Sequence, residues 1–95
     1  MKERKRSFIA FVRGRVQGVY FRDYVRTKAL GLGLAGYCRN GEDGVSVEVL
    51  AEGDTQALEL LVEHLHRGPP RSRIDSVDLS WDEAAGDATS FVIRW

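Results

Sequence analysis

The 95-residue chain is long enough for one hydrophobic core and too short for a sizeable second domain. Its 43% hydrophobic and 29% charged residues exclude the low-hydrophobicity, high-charge class of disordered chains. Its 14 basic and 14 acidic residues cancel, so net charge gives no pull toward a polyanion, and neither a nucleic-acid nor a membrane partner is expected.

The opening "MKERKR" reads as a flexible basic arm over residues 1–6 of a single domain spanning residues 1–95. The run "FIAFV" sets only five apolar residues between charges, too few for a signal peptide, and nowhere does the chain approach the roughly 20 apolar residues of a membrane span. A cytoplasmic location follows as the expectation. "SFIAFVR" (Ser7 to Arg13) alternates aromatic and β-branched residues and predicts a strand. "GRVQGVYFR" (Gly14 to Arg22) follows it directly with two glycines and two arginines. From Arg22 to about Leu32, Val25, Ala29 and Leu32 share one helical face with Phe21 one turn earlier, and Gly31 and Gly33 end the helix.

"LAGYCRN" (Leu34 to Asn40) and "VSVEVLAE" (Val45 to Glu52) flank the turn residues "NGEDG" and predict a hairpin, with Val45, Val47 and Val49 on one face. Cys38 falls on the first of these strands as a small buried hydrophobe. It has no partner for an internal disulfide, and with two distant histidines it makes no zinc site, so neither metal nor cofactor is expected. "GDTQALELLVEHLHRG" predicts a second helix with Asp54 as N-cap, the stripe Leu58, Leu61, Val62 and Leu65, and Gly68 as its stop. His64 and His66, two apart, cannot share a face and are expected on the surface. "RIDSVDLSW" supplies a further strand and "SFVIRW" a possible short fifth.

The order β-α-β-β-α-β predicts an α+β fold, a ferredoxin-like two-layer sandwich with an antiparallel sheet covered on one face by two helices. Many functions use that architecture, so chemistry has to come from the loop. Glycines let consecutive backbone N–H groups turn toward one point, a nest that holds an anion. The following helix adds its unpaired first-turn N–H groups and dipole, and Arg22 adds a planar cationic fork. Charge is placed accordingly: residues 1–26 carry eight basic and two acidic side chains, and Glu42 to Glu63 seven acidic and no basic ones. The alternative is a tight connection with solvated arginines. Neither a P-loop nor a dinucleotide fingerprint is present.

"GRVQGVYFR" and "GYCRNGEDG" (Gly36 to Gly44) resemble the two signatures of the acylphosphatase family, and "RGPPRSRID" (Arg67 to Asp75) resembles the segment after that family's second helix. The resemblance implies the same sandwich and hydrolysis of the carboxyl-phosphate bond of small acyl phosphates to a carboxylate and inorganic phosphate. It implies that Arg22 grips the phosphoryl group, that Asn40 positions the attacking water, and that the amides of Val16, Gln17, Gly18, Val19 and Tyr20 cradle the phosphate. It also implies a metal-free monomer, inhibited competitively by inorganic phosphate.

Such chemistry suits the residues at hand. A departing carboxylate has a conjugate acid of pKa about 4.3 and needs no general acid. A carboxamide is no base, so Asn40 can only orient water, and the proton goes to the substrate phosphate or to solvent. One departure from the family pattern stands out. Val45 and Ser46 intervene between Gly44 and Val47, one residue more than usual, so either the hairpin loop is longer or the third strand carries a bulge.

Several other residues have two readings. Arg15 and Arg39 either attract an anion or are solvated strand ends. Gln17 either contacts substrate or braces the loop. The Tyr20 ring is expected to cover the core edge. An RNA-binding module of the same strand order is the alternative from another class, but "VSVEVLAEG" lacks the exposed aromatics that class needs on its third strand. An accessory domain that keeps the anion loop without turnover would need Arg22 but not Asn40.

Overall fold

The computed structural model describes residues 5–84, 86 and 88–94. Its elements run β1 (Lys5–Arg15), α1 (Phe21–Gly31), β2 (Ala35–Asn40), β3 (Ser46–Asp54), α2 (Thr55–Arg67), β4 (Arg73–Glu83) and β5 (Phe91–Arg94). One sheet holds all five strands in the order β4-β1-β3-β2-β5. Of the basic arm, Lys5 and Arg6 belong to β1: Lys5 pairs with Asp54 at 2.9 Å, and Arg6 stacks its guanidinium on Trp81. Residues 1–4 lie outside the described residues.

Alternation along β1 sends Phe8, Ala10 and Val12 to one face, where Val47, Val49 and Ala51 of β3 and Cys38 of β2 join them, all fully or almost fully buried. The helices close over that face. α1 contributes Phe21, Val25 and Ala29, and packs on β2 and β5; α2 contributes Leu58, Leu61 and Leu65, and packs on β1, β3 and β4. Burying each such Leu, Val or Phe contributes about 1.5–3 kcal/mol. Tyr24 joins the two helices by donating to the His64 carbonyl at 3.0 Å, with its ring edge-on to the His64 imidazole. His64 is therefore half-buried between helices rather than a surface residue like His66.

The short fifth strand forms, and it lies parallel to β2, which makes the sheet mixed rather than wholly antiparallel. β4 runs antiparallel to β1, so the chain leaves it at the end of the sheet from which β2 starts, and crossing that end sets β5 in the same direction as β2. The buried carboxylate of Glu52 accepts from the Ala88 amide along the crossing. Trp95, the last residue of the expected run, lies outside the described residues. Asp54 occupies the N-cap of α2, but its side chain makes no capping hydrogen bond and is drawn instead to Lys5.

The additional hairpin residue is taken up by the loop. Ladder pairing of β3 runs unbroken from Ser46 to Asp54 against β1 and from Val47 to Glu52 against β2. Val45 lies outside the strand and is 52% exposed, so it does not share the buried face of Val47 and Val49. Asp43 holds this five-residue loop, accepting on Oδ1 from the amides of Val45 and Ser46, both at 3.0 Å, and from Ser46 Oγ at 2.8 Å. The register shift is on the other side of β1, between Arg13 and Gly14 against β4. Gly14 has φ +138°, and a Cβ there would sit 2.0 Å from the Arg73 carbonyl oxygen, so only glycine fits.

Candidate functional site

β1 and β2 end, and β3 begins, at one end of the sheet, since Arg13 faces Ser46 and Asn40 faces Val47; β5 ends there too, with Arg94 beside Arg39. The loop from Val16 to Tyr20 crosses this end before α1 starts. Its backbone φ alternates in sign: Gly18 and Tyr20 are positive, at +72° and +61°, while Gln17 and Val19 are not. Alternation of φ is one thing an anion nest requires of its backbone. Among the described residues, none accepts a hydrogen bond from the amides of residues 16–20.

A cleft of about 280 Å³ opens over this loop, lined by Val16, Gly18, Tyr20, Phe21, Arg22, Asp23 and Ile93. Tyr20 is 81% exposed at its edge, so its ring does not cover the core. A tyrosine in the left-handed region costs roughly 1–2 kcal/mol, and Tyr20 makes no side-chain cap for α1. Its amide serves the alternation of the loop. Arg22 leaves the first turn of α1 and donates to the Arg94 carbonyl at 3.4 Å, which ties it to the end of β5. Under it, Cys38 Sγ contacts the Arg22 carbonyl at 3.6 Å, and burial pushes the thiol pKa up to about 12.

Of the residues expected to form the site, Val16, Gly18, Tyr20 and Arg22 line the cleft, and Val19 and Gln17 do not. Val19 packs its side chain into the core. Gln17 turns its carboxamide to the hairpin, donating to the carbonyls of Gly41 at 3.1 Å and Ser46 at 2.8 Å. Asn40 follows Cys38 on the helix-covered side of β2, and its Oδ1 is buried without a hydrogen-bond partner among the described residues. It lines not the cleft but a second depression at the same end of the sheet, with Arg39, Gly41, Asp43 and Ser46 among its walls.

Arg39 is paired with Glu48 at 3.3 Å, which offsets its charge, whereas Arg15 is exposed at the end of β1. Sequence reasoning missed Phe21, Asp23 and Ile93 as cleft residues. Asp23 complements the dipole of the first turn of α1. Ile93 was within reach only through the alternation of Phe91 and Ile93 in a four-residue strand. Among the described residues no three His, Cys, Asp or Glu side chains gather as a metal-binding group, and no helix is long and apolar enough to cross a membrane.

The family model described as acylphosphatase matches residues 8–93. An acylphosphatase of Dehalococcoides mccartyi is 48% identical over 85 residues, covering 90% of this chain and 93% of that protein. One from Thermus thermophilus is 51% identical over 78 residues, covering 82% of this chain and 88% of that protein. The crystal structure of acylphosphatase from Bacillus subtilis superposes with a TM-score of 0.90 at 36% identity, covering 95% of this chain and 99% of that one.

Proposed function

This chain belongs to the acylphosphatase family, and from that premise we propose how its own residues carry out the reaction. The activity is hydrolysis of acyl phosphates: water attacks phosphorus, the bond from phosphorus to the carboxyl oxygen breaks, and a carboxylate and dihydrogen phosphate leave.

The amides of Val16, Gln17, Gly18, Val19 and Tyr20 surround the phosphoryl oxygens, and Arg22 supplies a charge-assisted fork to two of them. The alternating φ of the loop supports this assignment, as does the position of Arg22 in the same cleft. Asn40 orients the attacking water by accepting one of its hydrogens. The observation that most directly supports this is the buried, unpartnered Oδ1 of Asn40 at the loop end of the sheet. An acceptor left so costs about 1–3 kcal/mol, which a water's hydrogen recovers once the carboxamide turns to meet it, since Oδ1 is closed to solvent as it stands.

No side chain here acts as a general base. The proton of the water passes to a phosphoryl oxygen of the substrate, and the carboxylate, with a conjugate acid of pKa about 4.3, leaves without protonation. Catalysis is then positioning and charge neutralisation, the recurring demand of phosphoryl transfer. The enzyme acts as a cytoplasmic monomer that requires no metal, and inorganic phosphate competes with substrate.

Benzoyl phosphate hydrolysis tests this directly, followed with and without a chelator and at rising inorganic phosphate. Turnover that resists the chelator and is competitively inhibited by phosphate is expected. Loss of turnover on chelation, or inhibition that excess substrate fails to relieve, would overturn the proposed site.

A further inference from the structure

Two parts of the site sit on separate pieces of chain: the anion loop follows β1, and Asn40 ends β2 at the hairpin with β3. Asn40 is not in the cleft that Arg22 lines, so their relative placement must be fixed by something that spans both pieces. Two backbone-directed links do so. The Gly14 amide donates to the Val45 carbonyl at 3.0 Å, and Gln17 Nε2 donates to the carbonyls of Gly41 and Ser46.

The second link reaches the middle of the loop. Gly41 directly follows Asn40, and the Ser46 carbonyl that Gln17 grips also closes the hairpin by accepting the Gly41 amide at 2.8 Å. Asp43 fixes the same Ser46 from the other side, through its amide and hydroxyl. Two carbonyl oxygens facing one carboxamide can only be met by its NH₂ group, so the orientation of Gln17 is set by chemistry. Both of its N–H bonds are thereby used. The oxygen that remains is an acceptor and cannot hold an anion, so the side chain is not a phosphate ligand, whatever its backbone amide does.

Resting on the water-orienting role given to Asn40 above, we propose that Gln17 is a positioning residue: its carboxamide clamps the anion loop to the β2–β3 hairpin and so sets Asn40 against the phosphoryl group. The clamp acts on the water side of the reaction and leaves phosphate binding to the loop amides and Arg22. A shift of about 1 Å between reacting groups can cost about 100-fold in rate, so loss of the clamp shows in kcat.

The test is a double-mutant cycle on the full chain with benzoyl phosphate. Gln17→Met keeps the length and volume without donors, and Gln17→Leu keeps an uncharged side chain of similar volume without donors. Either is expected to lower kcat about 10- to 100-fold while the inhibition constant of inorganic phosphate moves less than about 3-fold. Combined with Asn40→Ala, either is expected to add less than about 2-fold to the loss from Asn40→Ala alone, because the two act through one step. Full kcat in both Gln17 variants overturns the proposal. So does weakened phosphate binding in step with kcat, or a loss that multiplies with that of Asn40→Ala, since each places Gln17 on the phosphate side. Circular dichroism melts accompany the kinetics, and if neither variant folds the bond is a folding requirement and the proposal falls. Unchanged kcat in Asn40→Ala alone would instead sink the water-orienting role itself.

Discussion

Cys38 Sγ lies 3.6 Å from the carbonyl oxygen of Arg22, so the first turn of α1 rests on the thiol of β2 directly beneath the cleft. The thiol is fully buried, and its pKa is pushed up to about 12, chiefly by that burial. Thiolate is the reactive form, so at neutral pH Cys38 is inert. Iodoacetamide is expected to leave the native protein unlabelled over hours and to label it fully in denaturant, as mass spectrometry would report. Cys38→Ala removes a buried atom of about methyl size and is expected to cost about 1 kcal/mol in a urea melt. Rapid labelling of the folded protein would place the thiol at the surface and detach it from Arg22.

Arg22 and Asn40 are predicted to fail differently. Arg22→Ala removes a charge-assisted donor to an anion, worth roughly 1.5–3 kcal/mol, or about a 10- to 150-fold weaker phosphate complex. Turnover should fall further, since charge on the phosphoryl group is also stabilised in the transition state. Asn40→Ala should leave phosphate binding within about 3-fold and lower kcat about 100- to 1,000-fold, the scale of losing one oriented polar group at a reacting centre. Calorimetric phosphate titration beside steady-state kinetics separates the two. Equal loss of phosphate affinity in both variants would contradict the division of labour.

The sandwich was legible because its signals are periodic: Phe8, Ala10 and Val12 alternate, and Leu58, Leu61 and Leu65 recur at helical spacing. The loop was legible as a candidate from Gly14 and Gly18 beside Arg22, and the resemblance carried Asn40. What escaped depends on contacts distant in sequence. Nothing near Asp54 says that Lys5, 49 positions away, will take its carboxylate from the helix N-cap. Nothing near Gln17 says that Gly41 and Ser46 will receive its donors. Tyr20 was misplaced because an aromatic next to an apolar run suggests burial, whereas its backbone is committed to the left-handed turn of the loop. The parallel setting of β5 follows from the directions of four other strands, which no four-residue segment encodes.

Gly14 and Tyr20 both hold positive φ, and their replacements should move stability in opposite directions. At Gly14 a Cβ meets the Arg73 carbonyl oxygen at 2.0 Å, and backbone cannot yield cheaply. Gly14→Ala is expected to cost roughly 2–6 kcal/mol from strain and overpacking together, a large share of the roughly 5–15 kcal/mol typical of a domain. Tyr20→Gly relieves about 1–2 kcal/mol of left-handed strain against about 0.5–1 kcal/mol of added chain entropy. With the ring 81% exposed, little packing is lost. A net gain between zero and about 1.5 kcal/mol is expected. Urea melts of both variants check this, and a destabilised Tyr20→Gly would mean that the ring holds contacts the loop needs.

Acid should remove the stabilisation that Asp43 gives the hairpin. Asp43 accepts from the Val45 and Ser46 amides and the Ser46 hydroxyl, and these bonds, the Val45 amide foremost, hold its pKa below the ordinary 3.8. A carboxyl that is more acidic folded than unfolded binds fewer protons in the native state, so stability rises with pH through its range. Its contribution is therefore complete above about pH 4, the unfolded carboxyl's range, and is lost as pH falls through the lower folded value. Asp43→Asn keeps one acceptor oxygen without charge and should flatten that part of the profile, while the wild-type chain loses stability as pH falls below about 4. Because Asp43 braces the Ser46 that Gln17 grips, the same variant should lower kcat at neutral pH more than it raises KM. Melting temperatures of both chains across about pH 2–7, with kinetics at about pH 7, check the prediction; parallel profiles would show that the Asp43 carboxylate is not held by the loop amides.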